Sequence, residues 1–117
     1  MRAPARANYW VVGNTPIIGG LCLTNVAGGQ WLTGLLVAPT CRNRGMATRL
    51  VATAVGACQC PVWLFCEQSL VTFYERLGFN PTVQLPEPLE SRLKRYNRHK
   101  MLRAMHYLRD DQWLTKS

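Results

Sequence analysis

The loop between two apolar segments near the middle of the chain carries the residues best suited to binding an anion. Arg42, Asn43 and Arg44 follow an apolar segment, and Gly45 precedes residues with helical periodicity. The N–H groups of a helix's first turn carry about half a positive charge and bind phosphate oxygens directly, and a glycine there lets a ligand approach the backbone. The loop lacks the Gly-Lys-Ser/Thr of a Walker A motif and the glycine pattern of a dinucleotide fingerprint. The residues indicate either a pyrophosphate-binding loop or a plain helix entrance with surface arginines.

The segments before this loop predict three strands. Residues 9–12, 17–23 and 31–37 are apolar and β-prone, and turn-forming residues separate them. Successive strands joined by short turns pair antiparallel. We therefore expect the third strand of an antiparallel sheet to lead into the arginine loop.

The segments after the loop predict a crossover connection. Apolar residues recur at helical spacing to about residue 57, residues 62–66 form a continuous apolar run, and a second helix over residues 69–77 ends at Gly78. A strand, helix and strand in this order give a right-handed crossover with parallel pairing. A short helix over 87–97 and a last strand over 100–108 complete a mixed α/β (α+β) fold.

Composition indicates a single folded domain with an anionic partner. The chain has 117 residues, 48% of them hydrophobic, and a net charge of +8. No segment has the pattern of a secretory signal, and the five cysteines are an odd number, so we expect a cytoplasmic protein with reduced thiols. Cys58 and Cys60 have no second ligand pair to complete a zinc site, and we expect no bound metal.

Two motifs in order along the chain resemble the GNAT superfamily of N-acetyltransferases. The segment Leu35-Leu-Val-Ala-Pro39 followed by Arg42-Asn-Arg-Gly-Met-Ala47 resembles the strand and the Arg/Gln-x-x-Gly-x-Gly/Ala loop that binds acetyl-coenzyme A. Val62-Trp-Leu-Phe-Cys66 and Phe73-Tyr-Glu-Arg-Leu-Gly-Phe79 resemble the next strand and helix. The resemblance covers residues 9–79 of one domain spanning 1–117. It implies a mostly antiparallel twisted sheet whose central parallel pair splays around the cofactor, with helices on both faces.

The resemblance also implies roles for individual residues. Three strand residues, Leu35, Leu36 and Val37, pair with the pantetheine arm, and a backbone N–H near Leu36 or Val37 polarises the acetyl carbonyl. The pyrophosphate is held by Arg42, Asn43, Arg44, Gly45, Met46, Ala47 and Thr48. Tyr74 matches the tyrosine that acts as general acid, since a phenol with a pKa of about 10 can protonate a leaving thiolate. A core tyrosine without a catalytic role is the alternative.

The implied reaction is direct transfer of an acetyl group to a primary amine of a small molecule or peptide. It needs no covalent cysteine, and we interpret Cys41 and Cys66 as packing residues. Glu67 is the best-placed carboxylate for accepting a proton, although a solvated helix-entry residue explains it better. Where many family members have asparagine and alanine, this chain has Glu67 and Leu70, which removes the usual side-chain contact to the pantetheine arm.

The resemblance begins later in the fold than is usual for the family, whose members have a strand and two helices before the first hairpin. Without those helices Trp10 and Trp31 would be exposed, which favours a homodimer. Two other functions stay open: a non-catalytic acyl-coenzyme A sensor, and a nucleic-acid binder that uses the basic tail. Between Ser91 and Arg109 this tail has no acidic residue and contains Arg92, Lys94, Arg95, Arg98, Lys100, Arg103 and Arg109. A solvated helix face and a charged edge strand explain the same residues without a nucleic acid.

Overall fold

The structure is a computed structural model that describes residues 7–12, 18–39 and 45–108. Arg42, Asn43, Arg44 and Arg109 lie outside this part of the chain. The elements within it, in chain order, are β1 (Ala7–Val12), β2 (Gly19–Val26), β3 (Gly29–Val37), α1 (Met46–Gly56), β4 (Val62–Glu67), a 3₁₀ turn (Gln68–Leu70), α2 (Val71–Arg76), β5 (Asn80–Pro81), α3 (Glu87–Tyr96) and β6 (Leu102–Tyr107).

The strands described form one mixed sheet in the order β1-β2-β3-β4-β6-β5. The β3–β4 pair is parallel and every other neighbouring pair is antiparallel. The chain passes from β3 to β4 through α1, which is the crossover that the periodicity predicted. The expected mixed α/β fold with a mostly antiparallel sheet is confirmed.

The parallel pair separates soon after it begins. Only Gln30–Val62 and Trp31–Trp63 are in register, although β3 continues to Val37. The β2–β3 register shifts between Gly20 and Cys22, whose partners are Leu36 and Thr33, so β3 has one more residue than β2 over this interval. Such a β-bulge bends its strand and increases the local twist. As a result, β3 and β4 are separated by a gap beyond Trp31 and Trp63.

The bulge contains Gly34, whose φ of +66° lies in the left-handed region. A residue without Cβ adopts this conformation at little cost, whereas an L side chain is strained there. Gly34 therefore provides the local bend at which β3 diverges from β4.

Two apolar clusters pack on opposite faces of the sheet. On one face, which we call the α1 face, α1 buries Leu50, Val51, Ala54 and Val55 against β2, β3 and β4. On the other, the α3 face, Leu89 of α3 packs with Trp31 and Trp63. Strand β4 contributes side chains to both clusters, because successive residues of a strand point to opposite faces of the sheet.

The tryptophans of the hairpin are not the exposed surface that the sequence predicted. Trp31 is buried in the α3-face cluster, and Trp10 is half-buried against the α1-face cluster. The exposed apolar side chains near the hairpin are instead Tyr9, Val11 and Leu36, which are 53%, 57% and 70% exposed. The prediction was wrong because α3, which follows the region of resemblance, covers Trp31.

Within the described ranges, no helix has both the length and the apolar composition that a membrane crossing requires.

Candidate active site

A cavity of about 510 Å³ lies between the end of β3, the start of α1 and one side of α2. We call it the α1-side cavity, because its residues Leu35, Phe73 and Tyr74 pack against the α1-face cluster. Its lining residues are Leu35, Leu36, Val37, Gly45, Met46, Ala47, Thr48, Leu70, Phe73 and Tyr74. The structure thus brings eight of the residues singled out in the sequence to one concave site.

The β3 side of the α1-side cavity follows the bulge. Leu35 turns into the core, whereas Leu36 is 70% exposed. Apolar side chains exposed inside a concave site supply the kind of surface that ligand pockets use to bury the body of a ligand. This wall of the cavity is suited to an elongated, weakly polar ligand segment.

The α1 side of the cavity has the electrostatics of an anion site. Gly45 caps the helix with φ +74°, and a Cβ built there would meet no atom of the described residues within 4 Å. The first turn contains no acidic residue. A helix N-terminus without a nearby carboxylate attracts negative charge through its N–H groups. The remaining predicted phosphate ligands, Arg42, Asn43 and Arg44, fall outside the residues that the structure describes.

Tyr74 lies in α2 and faces the same cavity. Its side chain is 6% exposed, and its ring packs edge-on against Phe73 and Phe79 at centroid distances of 5.0 and 5.7 Å. Burial, together with a smaller contribution from Cys66, raises the pKa of the Tyr74 phenol to about 12. The phenol therefore keeps its proton at neutral pH and can donate it to a ligand in the cavity.

Two other titratable residues, Cys66 and Glu67, lie near the site but do not line the α1-side cavity. Cys66 is buried with its Sγ 3.7 Å from Met105 Sδ, and burial raises the pKa of its thiol. A thiol held in its protonated form is a poor nucleophile. Glu67 is exposed at the end of β4 and does not line the α1-side cavity.

Leu70 and Phe73 line the α1-side cavity without having been assigned to it from the sequence. Leu70 lies three residues before Phe73 and four before Tyr74, and this spacing is the signal that could have grouped the three side chains, since residues three and four apart share a helix face. Leu70, which the sequence comparison singled out as a departure from many members of the resembled family, is 45% exposed.

A second cavity, of about 330 Å³, opens on the α3 face, and we call it the α3-side cavity. It is lined by β3 from Trp31 to Gly34 together with Phe65, Tyr96, Lys100 and Leu102. The sequence gave no direct sign of it, because its residues come from five separate elements or turns.

Across residues 7–12, 18–39 and 45–108, no three His, Cys, Asp or Glu side chains are grouped as metal ligands would be.

The family model of the acetyltransferase (GNAT) domain matches residues 5–81 of the chain. The fold is similar to that of Escherichia coli ElaA, with a TM-score of 0.67 and 13% identity, covering 87% of this chain and 68% of ElaA. It is similar to Tetrahymena GCN5, with a TM-score of 0.66 and 15% identity over 89% of this chain and 69% of that one.

A third similar structure is the N-acetylglutamate synthase of Neisseria gonorrhoeae, complexed with coenzyme A and N-acetyl-glutamate. Its TM-score is 0.63 and its identity 19%, and the match covers 78% of this chain but 23% of that one. No curated protein matched the chain.

Proposed function

Because the chain belongs to the GNAT acetyltransferase family, we propose that it transfers the acetyl group of acetyl-coenzyme A directly to a primary amine of a small molecule or peptide. Family membership supports acetyl-coenzyme A as the cosubstrate and acetyl transfer as the chemistry. The identity of the acceptor as a primary amine, and transfer without a covalent enzyme intermediate, go beyond family membership and are proposed here.

The α1-side cavity is the observation that carries the proposal. It joins three features that the reaction needs: the bulged end of β3, the acid-free N-terminus of α1 and the protonated phenol of Tyr74. Each is common by itself, whereas their convergence on one cavity is specific.

The two walls of the cavity bind different parts of acetyl-coenzyme A. Gly45, Met46, Ala47 and Thr48 receive the pyrophosphate at the α1 N-terminus, with Arg42, Asn43 and Arg44 as the further predicted ligands. Leu35, Leu36 and Val37 hold the pantetheine arm along β3. The acetyl group then lies near the gap between β3 and β4, where a backbone N–H near Leu36 or Val37 polarises its carbonyl.

Tyr74 acts at the leaving group. The neutral amine forms the new C–N bond at the thioester carbon, and the C–S bond breaks as Tyr74 gives its proton to the sulfur. The attacking nitrogen carries a positive charge after the addition and loses one proton to solvent. The Tyr74 phenolate takes up one proton from solvent, so the products are an amide and a free thiol. A buried Cys66 with a raised thiol pKa supports transfer without a covalent enzyme intermediate.

Calorimetry with acetyl-coenzyme A, followed by a turnover screen on an amine panel, tests the proposal. Specific binding with one site per chain and formation of an acetylated amine are the expected results. Binding without turnover on any amine favours the acyl-coenzyme A sensor, and the absence of binding rejects the assignment of the α1-side cavity.

The homodimer and the cytoplasmic location stay part of the proposal. Support for the dimer comes from the exposed Tyr9 and Val11 on β1, a strand at the edge of the described sheet. Edge strands with apolar side chains pair readily with another chain, and a second copy offers the matching edge. Support for the cytoplasmic location comes from the free thiols of Cys22, Cys60 and Cys66, which suit a reducing compartment.

A further inference from the structure

The α3-side cavity lies across the sheet from the α1-side cavity. Its walls include Trp31 and Phe65 of the α3-face cluster, whereas the α1-side cavity is bounded by residues of the α1-face cluster. Along β3, residues 31–34 line the α3-side cavity and residues 35–37 line the α1-side cavity. The bulge at Gly34 marks the change from one to the other.

The unpaired stretch of β3 and β4 lies between these two faces. Pairing between the strands ends at Trp31–Trp63, so the sheet offers no ladder between Thr33 and Phe65 to close it. A molecule in the α3-side cavity therefore approaches the gap from the side opposite Tyr74. A nucleophile adds to a thioester from above or below the plane of the carbonyl group, and approach from this side leaves the side of Tyr74 to the departing sulfur.

The walls of the α3-side cavity expose apolar and polar surface in nearly equal parts, and the apolar part is aromatic and aliphatic. Trp31 and Phe65 have ring centroids 5.6 Å apart, and Phe65 meets Tyr96 edge-on at 6.2 Å. Leu102 adds an aliphatic wall. A surface of this kind, at a volume of about 330 Å³, suits a small ligand with an apolar or aromatic body.

One donor in these walls has no acceptor. The indole N–H of Trp31 is buried and makes no hydrogen bond within the described part of the chain, while the side chain as a whole is 9% exposed. A buried donor without a partner costs free energy, and because this nitrogen is shielded from the open cavity, Trp31 offers a ligand its ring rather than its N–H.

The charge at this cavity is positive. Exposed Lys100 lines it and forms no ion pair with any described residue, and the Arg92 guanidinium carbon lies 4.8 Å from the centroid of the Trp31 ring. No acidic residue lines the cavity. The turn bearing Lys100 is held by Asn97, whose side chain accepts a hydrogen bond from Leu102 N at 2.8 Å and donates one to Leu102 O at 3.4 Å.

We propose that the α3-side cavity binds the acceptor, and that this acceptor is a primary amine attached to an apolar body and a carboxylate, such as an apolar amino acid. The inference rests on the proposed acetyl transfer. Lys100 pairs with the carboxylate, while Trp31, Phe65 and Tyr96 contact the body.

The charge of the cavity discriminates among amines. A polyamine keeps further ammonium groups that the cavity has no carboxylate to pair with, and leaving such groups unpaired next to Lys100 and Arg92 is unfavourable. For an amino carboxylate, the neighbouring cations offset the carboxylate and favour the neutral, nucleophilic form of the amine. The same side chains thus provide recognition and help to prepare the nucleophile.

A binding experiment tests the cavity independently of catalysis. The probes are N-acetylphenylalanine and N-acetylphenethylamine, which differ by the carboxylate, titrated by calorimetry with and without coenzyme A. We expect N-acetylphenylalanine, which has the carboxylate, to bind at least about tenfold more tightly than N-acetylphenethylamine. An effect of this size is typical of a charge-assisted contact. Lys100→Gln is expected to abolish this preference, and Lys94→Gln, a lysine paired with Glu90 outside the cavity, is expected to keep it. Equal affinity for the two probes, or a preference that survives Lys100→Gln, overturns the proposal.

A turnover comparison separates failure of this inference from failure of the proposed function. With acetyl-coenzyme A saturating, phenylalanine is expected to have a kcat/KM at least about tenfold above those of phenethylamine and spermidine, and Lys100→Gln is expected to raise KM for phenylalanine alone. Efficient acetylation of spermidine, with normal coenzyme A binding, refutes the acceptor class and leaves acetyl transfer intact. Absence of coenzyme A binding refutes the proposed function, and the probe titration still decides what the cavity recognises.

Discussion

At the scale of single residues, Tyr74 combines burial with a position on the α1-side cavity. Its ring packs against Phe73 and Phe79, and burial together with a smaller effect of Cys66 raises the pKa of its phenol. Both influences disfavour the phenolate, so Tyr74 holds its proton more firmly than a tyrosine in water. A general acid needs this property if it is to stay protonated while the amine substrate loses its own proton.

Replacing Tyr74 with Phe tests this role. We expect kcat to fall by about 10²–10⁴-fold with little change in coenzyme A affinity, because the ring and its packing are kept and only the proton donor is lost. Steady-state kinetics and calorimetry on the same preparation measure the two effects. A variant with wild-type kcat would show that Tyr74 is a packing residue.

The pH dependence of the wild-type enzyme follows from the sign of the shift. An ordinary phenol ionises near pH 10, whereas the pKa of Tyr74 is raised to about 12. We therefore expect kcat/KM to rise as the amine deprotonates and to show no fall caused by Tyr74 until pH approaches 12. A descending limb centred near pH 10 that disappears in Tyr74→Phe would contradict the raised pKa.

Gly45 offers a second residue-scale test, directed at the phosphate end of the cavity. Gly45→Glu places a carboxylate in the open space at the α1 N-terminus, and we expect it to abolish coenzyme A binding by repelling the pyrophosphate. Calorimetry measures the affinity, and unfolding by urea shows whether the variant is folded.

Two matched variants separate charge from strain at this site. Gly45→Ala has the same unfavourable φ without the charge, and we expect it to lower stability by about 1–2 kcal/mol while keeping coenzyme A binding. Gly56→Glu adds the same charge at the other end of α1, where a Cβ also meets no described residue within 4 Å, and binding should persist. Loss of binding in Gly56→Glu would mean that overall charge, rather than the local site, governs affinity.

At the scale of elements, the short parallel contact between β3 and β4 decides where the gap opens. Gln30 N donates to Pro61 O at 2.9 Å, and Gly29 lies directly against Trp63 at the start of β3. These contacts hold the strands together at one end, and the bulge at Gly34 separates them at the other. The cavities on both faces depend on this arrangement of two strands.

Gly29→Ala is expected to disturb the closed end of the strand pair. A Cβ at Gly29 would lie 2.6 Å from Pro61 O and even closer to the Trp63 ring, so backbone and ring must both shift. Overpacking of this kind costs about 1–3 kcal/mol. Urea unfolding measures it, with Gly56→Ala as the control that should be neutral or stabilising by up to about 1 kcal/mol. Equal stability of Gly29→Ala and the wild type would show that the strand pair tolerates a wider separation here.

At the scale of the whole molecule, the charge of +8 has an uneven distribution. In the basic tail, Lys94 pairs with Glu90, the Arg103 Nε donates to Gln68 Oε1 at 2.8 Å, and Arg92 stacks on Trp31. These three cations have structural contacts that need no nucleic acid. The positive field also favours the approach of polyanionic coenzyme A.

The proposed homodimer is a prediction about this same scale. Val11→Asp puts a charge on the exposed β1 edge, and we expect it to shift the protein from dimer to monomer in sedimentation velocity. Val83→Asp changes another exposed valine, 94% exposed and distant in the sheet order from β1, and should leave the dimer unchanged. A wild-type protein that sediments as a monomer at high concentration contradicts the proposed dimer.

The sequence by itself determined the order and type of the elements, because periodicity and turn residues act over a few positions. It indicated the crossover around α1, and its two motifs pointed to the family that the domain match confirmed. The predicted second helix differs in its first turn, which is a 3₁₀ turn over Gln68–Leu70. The roles of Leu35–Val37, Gly45–Thr48 and Tyr74 stay predictions, although these residues do line one cavity.

Only the tertiary structure decided what lies on each side of the gap. The α3-side cavity is lined by residues that are far apart in the chain and share no local pattern, among them Trp31, Phe65, Tyr96 and Lys100. The sequence alone therefore does not predict that they line one cavity. The burial of Trp31 under α3 was equally hidden, because it depends on which face of the sheet a distant helix covers. Local interactions encode elements within a few residues, whereas contacts between distant elements arise from the packing of the whole sheet, and those contacts set the charge and shape that select an acceptor.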